Sequence, residues 1–252
     1  MGAIYALAQQ KGGVGKTTTC INLGASLVER GRKVLLADLD PQGALSAGLG
    51  VDPLALNETI YDALRNSRFD LARVLRSTAA GCDLIPANID LSAAEIELVS
   101  EPGREKILSA KLAPMAAQYD YVLIDCPPSL GLLTLNALSA ASRVIVPVQC
   151  QYFALRGMDL LFQTIEKVQA RINPALQVAG ILPTMLNRTT HAGEVLDELR
   201  ESYKSQVFKT VIPQTVKLAD SAMAGQSISS FSPDSPAAAA YRELAAEVEK
   251  RG

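Results

Sequence analysis

Residues 11–18 read Lys-Gly-Gly-Val-Gly-Lys-Thr-Thr and follow directly on the apolar run of residues 3–8. That order predicts a strand, a glycine-rich turn and then a helix. Such a turn aims several backbone N–H groups at one spot beside the positive end of a helix dipole, where phosphate binds. Gly12, Gly13, Val14 and Gly15 would form the cradle, and Lys16 would set a point charge on the outer phosphates. The Thr17 hydroxyl would be free for Mg²⁺, with Thr18 next to it on the helix. The segment departs from the common pattern G-x-x-x-x-G-K-[ST], since Gln10 stands where the first glycine belongs. It also carries a second lysine, Lys11, at the mouth of the loop, more charge than one triphosphate needs.

The helix after the loop has an apolar face of Cys20, Ile21, Leu23, Gly24, Leu27 and Val28, and Gly31 sits where a C-terminal cap belongs. This context marks the loop as a site for nucleotide phosphates rather than a generic turn. A second buried strand begins near Lys33 and ends in Asp38 and Asp40, within Asp-Leu-Asp-Pro-Gln-Gly. A third, residues 121–125, is apolar and ends in Asp125. Parallel strands carry functional groups at their C-terminal ends, although an ordinary polar strand exit looks the same when seen singly. Cys126-Pro127-Pro128-Ser129 follows, a stiff exit lacking two backbone donors.

Strands alternating with helical stretches predict an α/β fold, a doubly wound, mostly parallel sheet flanked by helices, as one domain over residues 1–252. At 48% hydrophobic residues the chain can bury a large core, and it has no apolar run of the ~18 residues needed to span a membrane. Its start leads straight into a strand, so no signal peptide is expected and a cytoplasmic location is. Cys20, Cys82, Cys126 and Cys150 form no C-x-x-C pair and read as buried free thiols. The single histidine, His191, reads as a solvated loop residue.

The doubled-lysine loop resembles the deviant Walker A motif of the ParA/MinD group of P-loop ATPases. The resemblance extends along most of the chain, through residues 59–62, 84–91, 151–157, 182–187 and 211–213. It implies ATP and Mg²⁺ as cofactors, slow hydrolysis of ATP to ADP and phosphate, and an ATP-state homodimer in which Lys11 reaches the partner's nucleotide. By the same resemblance Asp40 would position or activate the attacking water. Asp38 would lie near the magnesium shell, and Asp125 would be the Walker B carboxylate. Asn187 would meet the adenine edge, and the backbone near Pro213, ending the last strand, would flank the base.

Within that group the Asp-Pro-Gln run and the short start of the chain resemble the Soj type, without a DNA-reading extension. This implies nonspecific double-stranded DNA as a partner, a ParB-like centromere-binding protein that stimulates hydrolysis, a nucleoid-associated location and a role in chromosome or plasmid partition. The net charge of −2 does not itself suggest DNA. Candidate contacts are Arg188, Lys204, Lys209 and Lys217, which from charge alone also fit an ordinary solvated face. Gln214 and Thr215 replace the Arg-Asn usual in relatives, removing one positive charge.

The alternative is a MinD-like membrane-surface regulator of division. The C-terminal segment from Ala237 argues against it, with Tyr241, Leu244, Ala245 and Val248 facing inward and Glu243, Glu247 and Glu249 outward. A metabolic enzyme that activates a carboxylate with ATP is a third reading. An iron–sulfur carrier is disfavoured by the scattered cysteines.

Overall fold

A computed structural model of the chain describes residues 2–151, 158–187 and 189–251. Among these, one sheet is built from β1 (Ala3–Leu7), β2 (Val34–Asp38), β3 (Arg76–Ser77), β4 (Asp83–Ile85), β5 (Tyr121–Asp125), β6 (Arg143–Gln149) and β7 (Gln177–Thr184). The spatial order is β3-β4-β2-β5-β1-β6-β7, parallel throughout except for β3 on β4.

The helices are α1 (Lys16–Glu29), α2 (Ala44–Gly48), α3 (Ile60–Arg65), α4 (Leu91–Glu97), α5 (Ile107–Ala116), α6 (Leu132–Ala140), α7 (Met158–Arg171), α8 (Thr190–Tyr203), α9 (Lys217–Met223), α10 (Ile228–Phe231) and α11 (Pro236–Arg251). Side chains alternate across each strand, so β1 sends Tyr5 and Leu7 to one face and Ala6 to the other. The Tyr5 face is covered by α1, α2 and α11, and the Ala6 face by helices from α3 to α8. Both faces are therefore buried, which is why the central strands are apolar without interruption.

The helix after the glycine loop forms as the sequence predicts. Its apolar residues Cys20, Ile21, Leu23 and Leu27 are buried, and Gly31, at φ 80°, donates its N–H to Val28 O. Gly24 lets α1 lie close on β2, because a Cβ there would stand 2.9 Å from Leu36 Cδ2. Residues 59–62 become a capping box, with Thr59 at the start of α3 and Asp62 returning a bond to the Thr59 N–H.

Three expectations are corrected. Residues 211–213 are not a strand: Ile212 N–H reaches Pro183 O and Leu186 N–H reaches Ile212 O, with a single bridge between Leu186 and Pro213. Pro183 and Pro213 cannot donate, so a continuous ladder cannot form there. His191 lies on α8, not in a loop, with Nδ1 3.7 Å from a Glu194 carboxylate oxygen. On α11, Tyr241, Leu244, Ala245 and Val248 are buried as expected, but Glu247 and Glu249 are not simply solvated. Glu249 pairs with Arg30 and Arg32, and Glu247 accepts the N–H groups of Lys209 and Thr210 and pairs with Arg251. The carboxylates thus fasten α11 to the body of the protein, and both titrate below their ordinary range: hydrogen bonds from Arg32 act first on Glu249, and on Glu247 the donors outweigh burial.

Candidate active site

Register sets the geometry. Leu7 and Asp38 both pair with Asp125, so the ends of β1, β5 and β2 lie level, with the glycine loop leaving β1 next to the end of β5. This is the crevice at the carboxyl edge of an open parallel sheet where ligands bind.

The loop turns on Gly13 (φ 71°) and Gly15 (φ 90°), left-handed positions that disfavour a side chain. Gly15 is the N-cap of α1, so the first N–H groups of the helix open into the crevice. Gly12, Gly13, Gly15, Lys16, Thr17 and Thr18 line a cavity of about 200 Å³ together with Asp40, Pro128 and Met185. Val14 is buried behind the loop, where its carbonyl accepts the Thr184 hydroxyl at 2.9 Å. Lys16 is almost entirely buried, and its Nζ reaches back 3.3 Å to Lys11 O. Burial pulls its ammonium below the ordinary lysine range while Asp125 opposes the shift. Lys11 itself is exposed, outside the set of side chains lining that cavity.

Thr17 Oγ1 donates to Asp125 Oδ2 at 2.5 Å. Asp125 is fully buried, and its Oδ1 has no hydrogen-bond partner among the described residues. Burial, with Asp38 adding like charge, holds its carboxyl well above the ordinary range. An orphaned buried carboxylate oxygen beside a threonine hydroxyl and a phosphate cradle is an oxygen-donor set that fits Mg²⁺.

The two aspartates after β2's apolar run, Asp38 and Asp40, have different surroundings. Asp40 is half-exposed at the cavity and accepts the Gln42 N–H at 3.0 Å. Asp38 is fully buried and faces protein donors with both oxygens: Oδ1 accepts Asp40 N–H, and Oδ2 accepts the N–H and hydroxyl of Ser46. Its carboxyl is pushed up to about 6 by burial, with the Ser46 bonds opposing. Asp38 therefore sits behind Asp40, holding the loop with both oxygens engaged by protein donors.

A second cavity, of about 290 Å³, continues from the loop and shares Gly15, Thr18 and Met185 with it. Pro213, Gln214, Thr215, Leu218 and Tyr241 also line it. A third, of about 580 Å³, shares Pro213 to Thr215 and reaches Asn187 and Lys217. Pro213 and Asn187 thus lie along one groove with the phosphate cradle, although Asn187 Oδ1 is already engaged by Thr189. Ser46, Thr184 and Met185 were not anticipated from the sequence. The signal for the last two was their place at the carboxyl end of a strand; Met185 then turns at φ 53° to face the loop.

The basic candidates divide. Lys204 and Lys209 lie near one another around Arg200, which donates to Lys209 O and whose own carbonyl accepts Lys204 N–H. Lys217 stands apart at the rim of the groove, its Nζ 3.1 Å from Ser232 Oγ. Arg188 and the run from Tyr152 to Gly157 lie outside the described residues. No helix of the described residues is long and apolar enough to cross a membrane.

Comparison with known proteins shows the family. The family described as AAA domain matches residues 2–178. The sporulation initiation inhibitor protein Soj of Bacillus subtilis is 44% identical over 253 residues, covering 100% of both chains. The family is thereby decided. The chain belongs to the Soj/ParA family of P-loop ATPases. The chromosome-partitioning ATPase Soj of Treponema pallidum is 47% identical, over 100% of this chain and 98% of its own. Among solved structures, a Mycobacterium smegmatis protein named cobyrinic acid a,c-diamide synthase, with bound ADP and magnesium, superposes with a TM-score of 0.87. It is 44% identical, over 98% of this chain and 93% of its own.

Proposed function

We propose that this Soj/ParA-family ATPase is a partition motor in which ATP binding forms a homodimer that holds DNA without sequence preference. A ParB-like centromere-binding protein stimulates hydrolysis and releases it. The observation that carries the reading is the division of labour between the two lysines. Lys16 is buried in the cradle, whereas Lys11 is exposed at its mouth and absent from the lining. A charge left outside its own phosphate site is available to a second copy's nucleotide.

The residues of the chain have separable tasks. The N–H groups at Gly13 to Thr17 and the Lys16 ammonium hold the phosphates, and a phosphate beside Lys16 favours its charged form. Thr17 and Asp125 would hold Mg²⁺, which neutralises charge developing on the phosphate oxygens. Asp40, half-exposed and facing the cavity, orients the attacking water. Asn187 and Pro213 flank the base along the groove. Arg200, Lys204 and Lys209 supply phosphate-backbone contacts from one edge, with Lys217 at the nucleotide groove and Arg188 next to Asn187 in sequence.

The name of the Mycobacterium smegmatis relative favours a second reading, ATP-dependent amidation of a carboxylate. Light scattering separates the two. The partition reading expects ATP with magnesium to shift the wild-type chain from monomer to dimer and Lys11→Ala to stay monomeric while still binding ATP. A monomer under all conditions, with turnover that requires a carboxylate and an ammonia source, would replace it with the amidation reading.

A further inference from the structure

We infer that Ser46 is a positioning residue for hydrolysis, holding Asp40 on its target through Asp38. The inference rests on the role of Asp40 given above. The Ser46 hydroxyl is buried at a junction of three elements. It donates to Asp38 Oδ2 at 2.7 Å and accepts the Ala87 N–H at 3.1 Å, while its own N–H reaches the same Asp38 oxygen at 2.9 Å. Asp38 then passes the alignment on, since its Oδ1 accepts Asp40 N–H at 3.2 Å.

Asp40 depends on this chain of contacts. Its other bonds are local: the carbonyl accepts Gly43 N–H at 2.9 Å, and Oδ1 accepts Gln42 N–H at 3.0 Å. They fold the turn on itself without fixing where the turn points. Gly43 is confined as well, at φ 61° with Pro53 and Ala87 O so close that a Cβ would meet them at about 3 Å. The turn is therefore tied at its start by Asp38 and wedged at its end against the exit of β4. Ser46 joins both ties, because Ala87 and Asp38 meet on its hydroxyl.

Without that hydroxyl, Asp38 loses one of its two donors on Oδ2 and Ala87 N–H loses its acceptor. The Asp40 main chain can then rotate with the carboxylate that anchors it. The phosphate cradle is built from other residues, so nucleotide affinity is not at stake. A shift of ~1 Å in a water-orienting group costs catalysis far more than binding.

The test is a double-mutant cycle on the full chain, with wild type, Ser46→Ala, Asp40→Ala and both together. Hydrolysis is measured in single turnover and ATP affinity with a fluorescent analogue. Expected are a roughly tenfold slower hydrolysis for Ser46→Ala at ATP affinity within about twofold of wild type, and no further loss in the Asp40→Ala background. Ser46→Thr, which keeps the hydroxyl, should hydrolyse near the wild-type rate and controls for misfolding. Equal slowing by Ser46→Ala with and without Asp40, or wild-type turnover of Ser46→Ala, overturns the role of Ser46 alone. Wild-type turnover of Asp40→Ala overturns the role of Asp40 and this inference with it.

Discussion

Thr17 on the first turn of α1 donates its hydroxyl to Asp125 at the end of β5, at 2.5 Å, and the second oxygen of that buried carboxylate has no partner among the described residues. Residues 108 positions apart in the chain thus share one polar point at the centre of the sheet. An apolar strand brings Asp125 there, and burial without full satisfaction is costly unless something else completes the site. Mg²⁺ with its nucleotide is what the donor set fits.

Removing the cradle's buried charge tests the phosphate site. Lys16→Ala should weaken ATP binding by ~100-fold or more, since charge-assisted contacts to phosphate are the strong ones. Equilibrium titration with a fluorescent ATP analogue measures this, and retained tight binding would refute the assignment.

Asp40→Ala should separate binding from chemistry. ATP affinity should persist while hydrolysis falls by ~100-fold, the usual scale for losing a positioned acid–base group. Normal turnover would direct the search to another water-orienting residue.

Asp38 predicts an unusual pH dependence of stability. Its carboxyl is raised by burial from 3.8 to about 6, so the folded state holds a proton that the unfolded state releases. The resulting stabilisation is complete below about pH 4 and is lost as pH rises through 6, an amount on the order of 3 kcal/mol. Urea denaturation without nucleotide should show wild-type stability falling from pH 4 to 7 relative to Asp38→Asn. Parallel curves for the two proteins would contradict the burial argument.

The fold and part of the candidate site were legible in the sequence because their chemistry lies in short contiguous motifs at strand ends. Asp40 and Asp125 close on apolar runs that read as buried strands, and Lys16 and Thr17 follow the glycine loop that leaves another. Ser46 was not legible, since a serine on a short helix acquires its role only when Asp38 and Ala87 converge on it. Pro213 reads as a strand end because apolar residues precede it, but Pro183 and Pro213 cannot donate to a ladder, and only a single bridge forms there. Glu247 and Glu249 read as solvated because helical periodicity places them outside; the 207–210 segment and the end of α1, which meet them there, come from distant sequence.

Glu247 gives that last point a measurable size. It accepts two backbone N–H groups and the Thr210 hydroxyl and pairs with Arg251. Glu247→Ala should destabilise the fold by about 2–3 kcal/mol, because the partners it leaves behind are partly buried. Denaturant unfolding should register the loss, with ATP affinity unchanged, since α11's outer face is remote from the cradle.

The most direct test of the partition account is co-sedimentation with nonspecific duplex DNA under ATP, ADP and no nucleotide, with anionic liposomes in parallel. The account predicts DNA binding with ATP and magnesium only, lost in moderate salt and weakened by Lys217→Ala. Binding to liposomes and not to DNA, or binding to neither in any nucleotide state, would contradict it.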